Sequence, residues 1–158
     1  MAMAINRRLF LSVMVGGFAA SLTRASAANA AMPQPTEITV FRSPTCGCCR
    51  DWVDHMQASG FQVQDNVTDA MASVKQRYGV PEAAESCHTA IIDGYVVEGH
   101  VPASDVQRLL AERPNVRGIA APGMPVGSPG MEMGDRRDPY TVVSFTRSGA
   151  IATFAEHS

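Results

Sequence analysis

Three of the four cysteines in this chain lie within four consecutive residues, Cys46-Gly47-Cys48-Cys49. The cluster follows a strand-like run over residues 37–42 and precedes a helical pattern, so it stands at a predicted helix N-terminus. A helix N-terminus lowers the pKa of a thiol, and the thiolate is both a nucleophile and a soft metal ligand. The cluster therefore indicates metal or redox chemistry rather than structural crosslinking.

The first residues of the chain are typical of an export signal. Arg7 and Arg8 precede an apolar stretch of about 14 residues, shorter than the roughly 20 that a transmembrane helix needs. Small residues then form cleavage patterns ending at Ala27 and Ala30. We therefore predict a signal peptide over residues 1–27, export to the periplasm, and no membrane segment after cleavage. The arginine pair is compatible with the twin-arginine route and with ordinary secretion.

Charge and cysteine spacing argue against two classes of function. Residues 1–27 contain three of the 13 basic side chains and none of the 15 acidic ones. The remainder has 10 basic and 15 acidic side chains, a formal charge of −5 that disfavours nucleic-acid binding. Four cysteines in an exported protein ordinarily suggest two disulfides. Adjacent Cys48 and Cys49 pair only with strained geometry, however, and three clustered thiols cannot all close useful loops. A structural protein stabilised by two disulfides is therefore disfavoured.

The hydrophobic patterns predict an α/β domain over residues 37–113, after a flexible segment at 28–36. The predicted elements are strand 37–42, helix 48–58, strand 61–67, helix 69–78, a hairpin over 89–98 that turns at Asp93-Gly94, and a helix capped by Ser104 that ends near 112. This order resembles the thioredoxin fold, with the cysteine cluster in the first strand-to-helix turn. Residues 114–158 are then a C-terminal extension of this thioredoxin-like domain.

The C-terminal extension begins with a segment dominated by Gly, Pro and Met. Met124 and Met131 each follow a Pro-Gly pair, and Met133 lies close by. Such a segment forms helix or strand poorly, and it becomes an ordered loop only if something holds it. The extension is predicted to end in a hairpin with strands at 140–146 and 151–154.

The available donor atoms match copper(I). Cu(I) prefers thiolate and thioether sulfur, which the cysteines and the loop methionines supply, and a histidine stands next to the fourth cysteine. Zinc or another thiophilic ion is the main alternative, although C-x-C-C is not a usual zinc spacing. The absence of any physiological metal is a third possibility. The candidate metal ligands are Cys46, Cys48, Cys49, Cys87, His88, Met124 and Met131.

Cys46 and Cys49 also form a C-x-x-C pair, which is redox-active in other proteins. The alternative function is thus a thiol–disulfide oxidoreductase without obligatory metal, in which Cys46 attacks and Cys49 resolves. It explains the fold but leaves Cys48, Cys87, His88 and the methionine loop without roles. Whether the protein is an enzyme therefore stays open, as either a copper-dependent or a thiol-dependent oxidoreductase.

Four other residues receive less specific predictions. Trp52 is expected to be a core anchor beside the cysteine cluster. His55 is predicted to face solvent, and Glu98 is predicted to be an ordinary surface charge. His100 is left out of the site, because the turn that carries it can lie away from the cysteines in a thioredoxin-like fold.

Several longer motifs together resemble one bacterial family. They are Ser43-Pro44-Thr45-Cys46-Gly47-Cys48-Cys49, Ser86-Cys87-His88-Thr89-Ala90, the run over 94–102, and Pro122-Gly123-Met124-Pro125. They are similar to those of the periplasmic C-x-C-C proteins of the CopG copper-resistance type, which occur with metal-resistance systems. The resemblance implies a thioredoxin domain whose C-terminal extension helps to bind copper through cysteine sulfurs. It also implies a role in copper redox handling, with copper ions and periplasmic efflux or redox proteins as partners.

Overall fold

The computed structural model describes residues 35–158. The predicted signal peptide, and all of segment 28–36 except its last two residues, lie outside them. The strands are β1 (Glu37–Arg42), β2 (Gln62–Val67), β3 (His88–Ile92), β4 (Tyr95–Glu98), β5 (Gly118–Ala120), β6 (Tyr140–Phe145) and β7 (Ile151–His157). The α-helices are α1 (Gly47–Ala58), α2 (Met71–Tyr78) and α3 (Ala103–Glu112), and Glu82–Ala84 is a short 3-10 helix. Within residues 35–158, no helix is both long and apolar enough to span a membrane.

All seven of these strands belong to one mixed sheet, in the order β2-β1-β3-β4-β5-β6-β7. The pairs β1–β2 and β4–β5 are parallel, and the other neighbouring pairs are antiparallel. A parallel pair needs a long crossover connection, and α1 and α3 provide the two that are required. The predicted α/β class is confirmed.

Both predicted hairpins are present. The first is β3–β4, which turns at Asp93-Gly94, and the second is β6–β7, which continues to His157, beyond its predicted end. Strand β5 is not among the predicted elements, because three residues are too few to show a hydrophobic period. It is fully buried between β4 and β6, so the C-terminal strands continue the same sheet.

Helix α1 positions one side of the predicted metal site. Its buried face consists of Cys49, Trp52, Val53 and Met56, one helical turn apart, and three of them pack into the main core. Trp52 is completely buried, and its indole N–H donates a 2.8 Å hydrogen bond to the carbonyl of Val101. The expected core anchor is therefore confirmed, and it ties α1 to the segment before α3.

Helix α3 begins differently from the prediction. Pro102 occupies the N-cap position, and Ser104 lies inside the first turn instead of capping it. The N–H of Ala103 donates a 3.1 Å hydrogen bond to Nε2 of His55. His55 is consequently half-buried rather than solvent-facing, and burial lowers its pKa. The neutral imidazole thus serves as an acceptor for one of the N–H groups that a helix start leaves unpaired.

Candidate metal centre

Three cysteines, here called the helix-start sulfurs, lie in the turn between β1 and α1. Cys46 is the N-cap of α1, and its N–H donates a 3.2 Å hydrogen bond to the carbonyl of Ser43. Cys46 and Cys49 form a disulfide, with Cα atoms 5.3 Å apart. Cys48 is a free thiol whose Sγ lies 3.4 Å from that of Cys46. The turn therefore presents a redox pair with a third sulfur in contact with it.

Cys87 completes a group of four sulfurs. It immediately precedes β3, which pairs antiparallel with β1 so that His88 lies opposite Arg42. The start of β3 is thereby brought beside the turn in which β1 ends. All four Sγ atoms lie within 4.8 Å of one another. A group of four sulfurs at this spacing matches the coordination preferred by thiophilic ions.

A second group shares Cys87. Its sulfur lies 3.4 Å from Nδ1 of His88 and 3.0 Å from Nε2 of His100. Ligand atoms of these three residues, here called the strand donors, also lie within 4.8 Å of one another. Cys87 therefore belongs to both groups, and the structure joins an all-sulfur group to a mixed sulfur and nitrogen group.

The tautomer of His100 follows from its second contact. Its Nδ1 lies 2.8 Å from the carbonyl oxygen of Pro129, and a carbonyl only accepts hydrogen bonds. The proton is therefore on Nδ1, and Nε2 directs a lone pair toward Cys87. This arrangement, an imidazole fixed by a backbone carbonyl, is how metal-binding histidines are commonly oriented.

His88 is a completely buried imidazole between two rings. Its centroid lies 4.5 Å from that of Trp52 and 5.0 Å from that of His100. Nε2 of His88 has no hydrogen-bond partner among the described residues. A buried polar atom without a partner costs about 1–3 kcal/mol, so its retention requires a reason. The His88 nitrogen that faces the sulfur of Cys87 is Nδ1, so Nδ1 is the atom that could bind an ion there.

Protonation of the strand donors is set mainly by burial. Burial, reinforced by the neighbouring Cys48, raises the pKa of Cys87 to about 12, so this thiol is protonated at neutral pH. Burial also lowers the pKa of His100, and it lowers that of His88 well below its usual value. Neutral imidazoles are the form that binds metals, and a bound cation would replace the thiol proton of Cys87.

Besides the contact between Pro129 and His100, the Gly/Pro/Met segment is held against the site at two further points. Gly123 forms a bridge with Ser86, the residue before Cys87, and its N–H donates a 3.0 Å hydrogen bond to the carbonyl of Glu85. Gly130 lies against the first turn of α1: a Cβ placed there would be 2.7 Å from the carbonyl oxygen of Cys48. Two backbone contacts thus hold the loop that the composition alone would leave without order.

The methionines of this loop differ in exposure. Met124 is 55% exposed and Met133 is 61% exposed, whereas Met131 is half-buried. The two predicted ligands, Met124 and Met131, directly follow the two anchored glycines. The structure therefore places the two residues next to segments that contact the neighbours of Cys87 and the backbone of Cys48, while the side chain of Met124 remains largely in solvent.

Glu98 is completely buried, and its prediction as a surface charge is wrong. Its carboxylate pairs with the ammonium group of Lys75, which is itself buried. It also accepts a 2.7 Å hydrogen bond from the N–H of Ser86 and a 2.6 Å hydrogen bond from the hydroxyl of Thr89. Burial raises the pKa of Glu98, and these partners oppose the shift.

Comparisons with known proteins found a matching family model and similar solved structures. Residues 84–131, which include Cys87, both strand histidines and the loop, match the family described as "Protein of unknown function, DUF411". A solved structure called "Copper resistance protein copG- Form 2" is 55% identical, with a TM-score of 0.75. The similarity covers 78% of this chain and 99% of that one. The chain belongs to the CopG-type copper-resistance family.

A second CopG structure gives the same result. "Copper resistance protein copG- Form 1" is 56% identical, with a TM-score of 0.74, and the similarity covers 78% of this chain and 98% of that one. None of the curated proteins compared with the chain matches it. The resemblance inferred from the sequence motifs to the CopG copper-resistance type is thus confirmed.

For this CopG-type chain, the residue missed by sequence reasoning is His100. The turn that carries it does not lie away from the cysteines, because Nε2 of His100 is 3.0 Å from the sulfur of Cys87. The available signal was the β3–β4 hairpin itself. Antiparallel pairing returns the chain to the start of β3, where the N–H of Gly99 donates a 2.9 Å hydrogen bond to the carbonyl of His88.

Proposed function

We propose that this protein binds Cu(I) through clustered thiolates and serves metal resistance or homeostasis in the periplasm after export. The observation that carries the proposal is the meeting of the four cysteine Sγ atoms within 4.8 Å. Reduction of the Cys46–Cys49 disulfide makes all four available as thiolates. His100, which has its lone pair directed at Cys87, is added to the predicted ligand set on geometric grounds.

The donor chemistry favours copper over zinc. Four sulfurs, with two neutral imidazoles beside one of them, form a soft group of the kind that Cu(I) prefers. The two similar solved structures are called copper resistance proteins. Zinc also accepts four thiolates or three thiolates and an imidazole, so it remains the competing ion that an experiment must include.

The methionine loop is proposed to cover the bound metal. Its two anchor points place Met124 after the contact with Ser86 and Met131 after the contact with α1. Thioether sulfur is a further soft donor. In this proposal residues 37–113 are a thioredoxin-like domain, residues 114–158 are an extension that supplies the loop, and periplasmic efflux or redox proteins exchange copper with the site.

Interconversion of Cu(I) and Cu(II) is proposed as a second property of the same cluster. Oxidation of the Cys46 and Cys49 thiols to their disulfide releases two electrons and two protons. Two Cu(II) ions would accept those electrons and become two Cu(I) ions. The Cys46–Cys49 disulfide supports this proposal, because it is the product state of such a reaction.

Anaerobic titration of the reduced protein tests the proposed metal. Cu(I) and Zn(II) are added separately, each against a chromophoric chelator of known affinity. We expect tight binding of several Cu(I) ions, weaker binding of Zn(II), and loss of the tight Cu(I) phase in Cys48→Ser. Thr45→Ser, an exposed substitution in the same turn, is the matched control and should bind as the wild type does. Weak Cu(I) binding by the reduced wild type would contradict the proposal.

The alternative function is a thiol–disulfide oxidoreductase without obligatory metal. The observation in its favour is again the Cys46–Cys49 disulfide at a helix start, where a thiolate is stabilised. Disulfide reductase activity is assayed in the presence of a chelator, in the wild type and in Cys48→Ser. Strong activity that does not depend on Cys48, together with weak Cu(I) binding, would replace the first proposal with this one.

A further inference from the structure

The buried carboxylate of Glu98 contacts the chain segment that carries two of the strand donors, Cys87 and His88. Through the N–H of Ser86 and the hydroxyl of Thr89, it holds the residues on either side of the Cys87-His88 pair. Glu98 is also directly opposite Thr89 in the β3–β4 ladder. One side chain therefore fixes the start of β3 from two directions.

The same carboxylate stands two residues before His100. The intervening Gly99 donates its N–H to the carbonyl of His88, and a Cβ at Gly99 would overlap the Ser86 side chain. The close approach of these two segments thus depends on a glycine and on the position of Ser86. Because Ser86 is held by Glu98, the distance between Cys87 and His100 depends on this carboxylate as well.

Global stability does not require a charged pair at this place. Burying a carboxylate and an ammonium group costs several kcal/mol per ion in desolvation, and apolar replacements of similar volume are often neutral or stabilising. Lys75 and Glu98 are both buried, so this general result applies to them. Apolar side chains cannot, however, supply the two acceptor oxygens that Ser86 and Thr89 use.

We infer that Glu98 is a positioning residue of the metal centre. It does not bind the metal ion itself, and it holds the donor atoms of Cys87, His88 and His100 close to one another. Lys75 compensates the carboxylate charge and keeps Glu98 inside the protein. The inference rests on the proposed function, because it concerns how the same site reaches its geometry for Cu(I). Loss of partners that orient ligands typically lowers metal affinity by roughly 10–100-fold.

The main test is the double variant Lys75→Met/Glu98→Leu, which removes both charges and leaves the net charge unchanged. Thermal unfolding reports stability, and anaerobic competition with a Cu(I) chelator reports affinity. The ultraviolet absorption of thiolate-bound Cu(I), measured per bound ion, reports the donor set. We expect a protein that still folds, affinity lowered by roughly 10–100-fold, and a changed absorption band. A purely structural role would leave affinity and absorption unchanged in a folded variant.

Thr89→Val keeps the buried ion pair and removes one hydrogen bond to Glu98, together with the 3.4 Å hydrogen bond that the Thr89 hydroxyl accepts from Lys75. We expect a smaller, severalfold loss of Cu(I) affinity in this variant. If the double variant does not fold, Thr89→Val alone tests whether Glu98 positions the metal ligands. Glu112→Gln, at an exposed carboxylate on α3, is the matched control. Wild-type affinity and absorption in the folded variants would overturn the inference while leaving the proposed function intact. Failure of the wild type itself to bind Cu(I) would instead overturn the proposed function, and this inference with it.

Discussion

The two halves of the candidate site are organised in different ways. The helix-start sulfurs come from four consecutive residues, and their positions follow from one turn and the start of α1. The strand donors come from two strands and are fixed by β-pairing, by the buried Glu98 and by the carbonyl of Pro129. One half is therefore a local structure, whereas the other depends on contacts between distant parts of the chain.

This difference has consequences for how each half responds to change. We expect a substitution among the helix-start sulfurs to remove a donor and to leave the surrounding backbone intact. We expect the strand donors to be displaced also by substitutions at residues that bind no metal themselves. The experiments below compare the two halves, beginning with the change that should have the largest effect.

Replacing Cys87 with serine should weaken Cu(I) binding more than replacing any single helix-start sulfur. Cys87 is common to both donor groups, so its loss damages both. We expect a decrease of more than the roughly 10–100-fold that follows loss of an orienting partner. Competition titration measures it, with Thr45→Ser as control. A smaller effect than that of Cys48→Ser would show that the strand donors are not part of the Cu(I) site.

Trp52 joins the two halves, because it belongs to α1 and its ring packs at a 42° tilt against the ring of His88. Trp52→Ala should lower the free energy of unfolding by about 3–5 kcal/mol, the usual cost of removing a large buried aromatic side chain. Urea unfolding followed by circular dichroism measures this change. Val67→Ala, at a position 51% exposed at the edge of the sheet, should stay within about 0.5 kcal/mol of the wild type. Equal effects would mean that Trp52 is not an anchor.

Gly130 and Gly134 provide a matched pair within the loop. Both have positive φ, +82° and +61°, but only Gly130 would bring a Cβ against α1. Gly134→Ala should cost about 1–2 kcal/mol from backbone strain alone. Gly130→Ala should cost a further 1–3 kcal/mol or so from overpacking, and it should weaken Cu(I) binding as well. Urea unfolding and Cu(I) competition titration measure these effects. Identical results for the two variants would show that the loop does not pack closely against α1 at Gly130.

The smallest predicted effect concerns pH and His55. Burial lowers the pKa of His55 in the folded state, so the unfolded chain binds this proton more readily. The stability that the neutral ring contributes is present above its unfolded pKa of about 6.5 and declines as the pH falls toward the lower folded value. The difference in unfolding free energy between wild type and His55→Ala should therefore shrink from pH 7.5 to roughly pH 5.5. A constant difference would exclude His55 as the acceptor for Ala103.

Local patterns were sufficient for most of the fold. The apolar positions of α1 recur at helical spacing, and both hairpins show alternating residues on either side of a turn. Strand β5 was not predicted, because its three residues form a strand only by pairing with β4 and β6 on either side.

The half of the site that was harder to predict depends on partners far away in the sequence. Lys75 and Glu98 are 23 residues apart, and His100 and Pro129 are 29 residues apart. Taken singly, a glutamate in a strand or a histidine after a hairpin is expected at the surface. Only the tertiary structure shows that one is neutralised by a buried ammonium group and the other is oriented by a loop carbonyl.

Oxidation affects the two halves of the candidate site unequally, because the Cys46–Cys49 disulfide involves only helix-start sulfurs. It withdraws two donors from the helix start but leaves Cys48 and all three strand donors untouched. The oxidised protein would then offer an ion fewer sulfurs and the same number of imidazoles. Nitrogen-richer surroundings suit Cu(II), whereas sulfur-rich ones suit Cu(I). A single covalent bond would thus change which ion the protein prefers.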